Sequence, residues 1–201
     1  TMMGLIGRKL GMTQIFDEQG KQIPVTAIKV GPCTVLEIKN RDTHGYNAVK
    51  IGFEDAKEKK LLTPERAYFE SLNRALKNEN SDRTISPKNI VREFRTTEKE
   101  IQCSSGDEVT VDYFENIKFV DIIGKTNGHG FSGMVKRHNA KRGRMTHGSK
   151  FHRCMGGTAM RAHPGRVLPF KRMPGHDGNT RITVQNLEIM KIIKDDNILL
   201  V

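Results

Sequence analysis

Phe119-Val120-Asp121-Ile122-Ile123-Gly124-Lys125-Thr126-Asn127-Gly128-His129-Gly130 is where one kind of chain ends and another begins. Apart from Asp121, residues 119–123 are apolar and rich in β-branched side chains, as a strand requires. From Lys125 onward apolar residues thin out, and glycine, histidine, lysine and arginine take over. Strand character returns after Arg181, with Ile182, Val184, Leu187, Ile189, Ile192 and Ile193. A segment that leaves one strand and comes back to another is tied at both ends. It is an extension of a β domain, not a tail. A structureless insertion of this length inside a compact domain is usually functional.

The charge sits in the same place. Of 201 residues, 1–120 carry 19 Lys and Arg against 18 Asp and Glu, whereas 121–201 carry 15 against 5. Residues 125–181 hold 13 basic residues and one acid, Asp177, together with six of the seven histidines and ten of the 19 glycines. This segment has no steady period of 3.6 or 2 and too little apolar surface to offset the entropy of its own ordering. A net charge of +12 needs a polyanion as partner. A solvated surface loop gains nothing from thirteen cations left almost unpaired. A membrane-surface helix fails because glycines and Pro164 break it and no apolar face forms.

Outside this segment the chain reads as strands at 5–8, 13–16, 23–30, 35–38 and 48–53, with Asp17-Glu18-Gln19-Gly20 as a turn. Thr63-Pro64 marks a helix start, and Tyr68, Leu72, Ala75 and Leu76 share one face, so 64–79 is expected as a helix. Ser86-Pro87 is expected to open a second short helix with Ile90, Val91 and Phe94 on its apolar side. Strands return at 108–112, 119–123 and beyond 181, and Asp195-Asp196-Asn197 turns into 198–201. The expectation is a mainly β, α+β fold: a closed or nearly closed β-barrel assembled from 1–54, 105–124 and 182–201. A partly helical insertion over 55–104 and the basic extension over 125–181 interrupt it. No run approaches ~18 apolar residues, and the N-terminus lacks a secretory pattern. Thr1 ahead of two methionines reads as a processing remnant. Three distant cysteines make no disulfide framework and fit a reducing cytoplasm.

Gly128-His129-Gly130-Phe131-Ser132-Gly133-Met134-Val135 fits a nucleotide-loop pattern, but its context does not. A dinucleotide fold needs an acid about 20 residues on, and the next is Asp177. A kinase needs further lysine and aspartate motifs that are missing. The glycines instead permit close backbone approach to a phosphate or base, flanked by Lys125, Lys136, Arg137 and His138. His147, His152 and Cys154 resemble part of a zinc site without its fourth ligand. No paired carboxylates or nucleophile–base sets can be argued. Phe131, Phe151 and Phe170 either stack on bases or anchor turns of the extension.

Gly4-Leu5-Ile6-Gly7-Arg8-Lys9-Leu10-Gly11-Met12-Thr13-Gln14-Ile15-Phe16 resembles the opening of the bacterial large-subunit ribosomal protein L3 family. Phe114, Asp121, Gly124, Thr126, Gly128-His129-Gly130, Gly133 and Arg137 are similar to that family's signature. Thr146-His147-Gly148-Ser149, His152-Arg153, Pro164-Gly165-Arg166-Val167, Gly178-Asn179 and Thr183-Val184-Gln185-Asn186-Leu187 continue the likeness in order. The resemblance implies a barrel like the second domain of translation elongation factors, and a loop that runs through rRNA toward the peptidyl transferase centre. It also implies direct binding of 23S rRNA, mostly near its 3′ end, an early role in subunit assembly, and ribosomal proteins L14 and L19 as neighbours.

The rRNA contacts expected on this basis are Arg8, Lys9, Lys125, Asn127, His129, Lys136, Arg137, His138, Lys141, Arg142, Arg144 and His147. Lys150, His152, Arg153, Arg161, His163, Arg166, Lys171, Arg172, His176, Asn179 and Arg181 complete them. The tip is expected at Gly156, Gly157, Thr158, Ala159, Met160, Arg161, Ala162, His163 and Pro164. Some relatives carry a methylated glutamine near this tip. Ala162 takes its place here, and no glutamine occurs between Gln102 and Gln185, so that modification is not expected. No catalytic residue, metal, cofactor, membrane or small-molecule substrate is expected. The rival reading is an enzyme that uses the glycine loop for a nucleotide.

Overall fold

The computed structural model describes residues 4–57, 59, 61–78, 83–96 and 103–201. Thr1-Met2-Met3, parts of the insertion and the last residue of the expected helix, 79, lie outside them. The chain divides into two units: Thr1–Val120 with Asn186–Val201, and Asp121–Gln185.

In the first unit, β1 (Gly7–Phe16) and β2 (Gln22–Val30) form a hairpin across the expected turn, where Gly20 N–H donates to Asp17 C=O at 2.8 Å. The residues expected as two strands, 5–8 and 13–16, belong to one strand with a bulge between Lys9 and Gly11. β3 (Cys33–Lys39), a one-turn helix α1 (Arg41–His44) and β4 (Ala48–Asp55) follow. Next come helix α2 (Thr63–Asn78), β5 (Lys88–Arg95), β6 (Glu108–Val109) and a 3-10 turn at Val111–Phe114. β7 (Phe119–Lys125) leads into the second unit, and β10 (Arg181–Glu188) leads back from it to β11 (Lys191–Ile193) and β12 (Ile198–Leu200). Between them lie β8 (Gly130–Ser132), α3 (Met134–His138) and β9 (Gly175–Asp177).

Among the described residues the strands make two four-stranded sheets, β1-β2-β12-β11 and β5-β4-β3-β6, and two ribbons, β7-β10 and β8-β9. The fold is mainly β with a few helices, as expected, but the expected closed barrel is not formed. The break has a local cause at the β2–β3 junction. Gly31 adopts φ +81°, a left-handed turn, and Pro32 offers no N–H to continue a ladder. On the far side, β6 contributes only two residues to its sheet.

Three apolar clusters hold the first unit. Cys33, Val35, Val49, Ile51 and Phe53 are buried on one face of β3–β4. Leu36, on the opposite face of β3 by strand alternation, joins Phe69 and Leu76 of α2 and Ile85, and the bulge between Val35 and Glu37 returns Ile38 to the first cluster. Asn73 of α2 ties Ile85 twice, donating to its carbonyl at 3.1 Å and accepting its N–H at 2.8 Å. Val30, Val111 and Leu199 form the third cluster, and Leu5 packs against both the first and the third.

The expected second helix after Ser86-Pro87 is strand β5 instead. Ile90 and Phe94 pack into the first cluster and Val91 into the second, from opposite faces. Apolar residues at 90, 91 and 94 match one helical face as well as two faces of a strand. The open edge of β4 decides between them.

Candidate nucleic-acid interface

The second unit is built up from a neck. Thr126 N–H donates to Thr180 C=O at 3.0 Å, Asn179 N–H donates to Thr126 C=O at 3.1 Å, and Thr180 N–H reaches Thr126 Oγ1 at 3.2 Å. Gly178 makes this closure possible: its φ is +72°, and a Cβ there would lie 1.9 Å from the Asn127 carbonyl oxygen. Beyond the neck, β8 and β9 pair antiparallel, with Gly130 opposite Asp177, Phe131 opposite His176 and Ser132 opposite Gly175. The glycine pattern 128–133 therefore lies in a short ribbon that runs into a five-residue helix.

α3 carries Lys136, Arg137 and His138 in sequence. Arg137 Nη1 donates to the Met173 carbonyl at 2.8 Å, and His138 Nε2 donates to the same oxygen at 3.0 Å. Two residues expected on RNA thus fasten the outgoing and returning limbs of the segment to each other. Residues 139–174 contain turns but no helix or strand. Their order is local: Gly143 N–H donates to His152 C=O at 2.8 Å, and His152 Nδ1 donates to Arg144 C=O at 3.1 Å. Met160 and Arg161 take left-handed φ values of 55° and 63° at the expected tip, where Gly156, Gly157, Ala162, His163 and Pro164 are exposed and Thr158 and Ala159 half-buried.

Twelve of the thirteen cations are exposed: Lys125, Lys136, Lys141, Arg142, Arg144, Lys150, Arg153, Arg161, Arg166, Lys171, Arg172 and Arg181. Arg137 is half-buried. Asp177, the segment's one acid, has its carboxylate 3.2 Å from His129 Nδ1. Among the described residues none of the thirteen forms an ion pair. The first unit behaves in the opposite way. There Arg8 meets Glu54 at 2.7 Å, Lys39 meets Glu93 at 2.6 Å, Lys88 meets Asp55 at 2.8 Å, and Arg83 pairs with Asp107. Arg8 and Lys9 belong to β1 of that unit, not to the basic segment, and Arg8 is engaged with its own chain.

Asn127, His147, Lys150, His163, His176 and Asn179 are spread along the segment as exposed side chains. Among the described residues no three His, Cys, Asp or Glu side chains gather as a metal site, and no helix is long and apolar enough to cross a membrane. A cleft of ≈ 340 Å³ opens between β8, α3 and the loop, lined by His129, Phe131, Ser132, Gly133, Lys136 and Arg153. The Phe131 ring is 81% exposed in it. Buried Ser132 is outside the expected site residues. Its signal was its place between two glycines, where a small residue can pack into a ribbon beside an open surface.

An exposed polycation with open backbone and unburied rings is suited to phosphate and base contact. Comparison with known proteins agrees. The family model "Ribosomal protein L3" matches residues 84–198. The chain is 40% identical over 200 residues to the large ribosomal subunit protein uL3 of Brachyspira pilosicoli, covering 100% of this chain and 86% of that protein. It is 44% identical over 200 residues to uL3 of a Picosynechococcus species, covering 99% and 88%. It is 43% identical over 200 residues to uL3c of Phaeodactylum tricornutum, covering 100% and 91%. Motifs, charge and full-length similarity converge: the chain belongs to the ribosomal protein L3 family.

Proposed function

We propose that this chain is a structural, non-catalytic constituent of the large ribosomal subunit that binds 23S rRNA directly through residues 125–181. The observation that carries the reading is the row of thirteen cations, twelve of them exposed and none paired with a carboxylate among the described residues. The finer reading follows the family: contacts mostly near the 3′ end of 23S rRNA, an early role in assembly, and L14 and L19 as neighbours. The tip at 156–164 reaches toward the peptidyl transferase centre. By family resemblance, 1–54, 105–124 and 182–201 supply a nearly closed, elongation-factor-domain-2-like barrel, and 55–104 is its insertion, of which β5 adds an edge strand beside β4. Side-chain cations hold phosphates, while glycines admit the RNA backbone closely.

The test is the salt dependence of binding to 23S rRNA. Even six to ten phosphate contacts lose about 10³–10⁵ in affinity between roughly 50 and 200 mM salt. A flat plot of log K against log salt would overturn the reading. In assembled subunits, His163→Ala is expected to disturb the local RNA fold without abolishing peptide-bond formation. Loss of that reaction with rRNA structure unchanged would contradict the non-catalytic assignment.

A further inference from the structure

We propose that the cleft beside Phe131 holds one unstacked nucleotide of RNA, its base against the Phe131 ring and its phosphate at Lys136 and Arg153. The proposal rests on the RNA-binding reading above and narrows it to a single ribonucleotide. Four observations point the same way. Phe131 is 81% exposed, yet it stands on a strand whose register with β9 is fixed at three successive pairs. A ring held open to solvent by a ladder is a platform, not a mobile loop residue, and every base offers it a face. The volume of ≈ 340 Å³ is at the small end for ligand sites, suited to one nucleotide rather than a helix. Lys136 and Arg153 supply positive charge at its wall, and neither pairs with a carboxylate among the described residues.

The fourth observation is Gly133. Its φ is −72°, open to any residue, and a Cβ there would meet nothing within 4 Å. The chain's own packing therefore does not require glycine at this wall of the cleft. What a side chain there would occupy is the space of the ligand. A base inside a duplex keeps both faces stacked and cannot meet the ring, so the nucleotide must be unpaired. Phe170 serves as the internal contrast. It is fully exposed as well, but it lies in the stretch without ladder pairing and outside this cleft.

The experiment measures binding of the full chain to fluorescein-labelled octauridylate and to an eight-base-pair RNA duplex, by anisotropy at one fixed low salt concentration. Phe131→Ala is expected to weaken octauridylate binding about 5- to 100-fold, the range for loss of one base–aromatic stack. Phe131→Trp should stay within about threefold of the parent. Gly133→Asn should weaken octauridylate binding while circular dichroism and the thermal midpoint hold, since asparagine caps a helix at least as well as glycine. Phe170→Ala should have little effect, and duplex binding should change little in any variant. If Phe131→Ala and Gly133→Asn bind octauridylate like the parent, or if Phe170→Ala loses as much as Phe131→Ala, the nucleotide site is wrong while the RNA reading stands. If the parent binds neither RNA at low salt, the RNA reading itself fails.

Discussion

Glu93 on β5 receives the Lys39 ammonium at 2.6 Å and the Tyr46 hydroxyl at 2.9 Å. These hydrogen bonds, Lys39 first, hold its carboxyl below the usual glutamate value, and the same contact pushes the Lys39 ammonium above the lysine range. A depressed carboxyl stabilises the fold above its unfolded pKa and loses that contribution as pH falls through the folded one. Asp107 behaves alike, held down by the Ser104 N–H and then by Arg83. Urea midpoints of Glu93→Gln are therefore expected below the parent's at pH 7, with the gap narrowing as pH falls below the ordinary glutamate range. A gap that stays constant over this fall in pH would refute the linkage. At Gly178, alanine would have to hold φ +72° with its Cβ against the Asn127 carbonyl. Gly178→Ala should loosen the neck by about 1–3 kcal/mol, seen as faster amide exchange at Thr126 and Thr180 and not in the first unit. The count of cations was legible in the sequence. That Arg8 pairs with Glu54 and Arg137 fastens Met173 was not, because both partners lie far along the chain.

Helix α2 was legible because its start signal and apolar spacing agree: Glu65 accepts the Leu62 N–H at 3.0 Å, and Phe69, Leu72 and Leu76 face Leu36 and Ile85. Leu76→Ala is expected to cost about 2–5 kcal/mol, read from urea unfolding, because Leu76 is buried in that cluster. A cost below ~1 kcal/mol would mean the helix contributes little to the unit. β5 was not legible as a strand, since its apolar residues serve two cores at once. β8 and β9 were hidden for another reason. Gly-Phe-Ser and Gly-His-Asp carry almost no β-branched residues, and their pairing follows from the neck at Thr126–Thr180, not from propensity.

At the scale of the whole molecule, the separation of charge from core was readable as composition, whereas the open sheets were not. Strand patterns fix which residues pair far less than which residues are buried, and the β2–β3 break lies at Gly31, with its left-handed backbone, and Pro32, with no N–H to donate. The hydrogen-bonded neck places the two ends of the segment within bonding reach. Replacing 127–179 by a short Gly/Ser linker should therefore leave cooperative unfolding of the first unit intact, with little change in closure entropy. The same variant should lose most rRNA affinity in a filter-binding assay, since eleven Lys and Arg against one acid, net +10, leave with residues 127–179. Limited trypsin digestion of the parent should cut first within 125–180, where cations are exposed and regular structure is sparse. First cuts in β1–β4 would contradict it.

β12 has a temporal consequence. It is inserted between β2 and β11, pairing Ile198 with Lys29, Leu199 with Ile28 and Leu200 with Ala27, and Leu199 fills the cluster with Val30 and Val111. Those three residues follow the basic segment in chain order. During vectorial synthesis, then, the polycation leaves the exit site before the sheet that anchors it has its middle strand. Until 198–200 emerge, the nascent chain presents β2 with an open edge and Val30 without its apolar neighbour. A released chain truncated between residues 181 and 198 should therefore carry its full basic segment on an unfinished core.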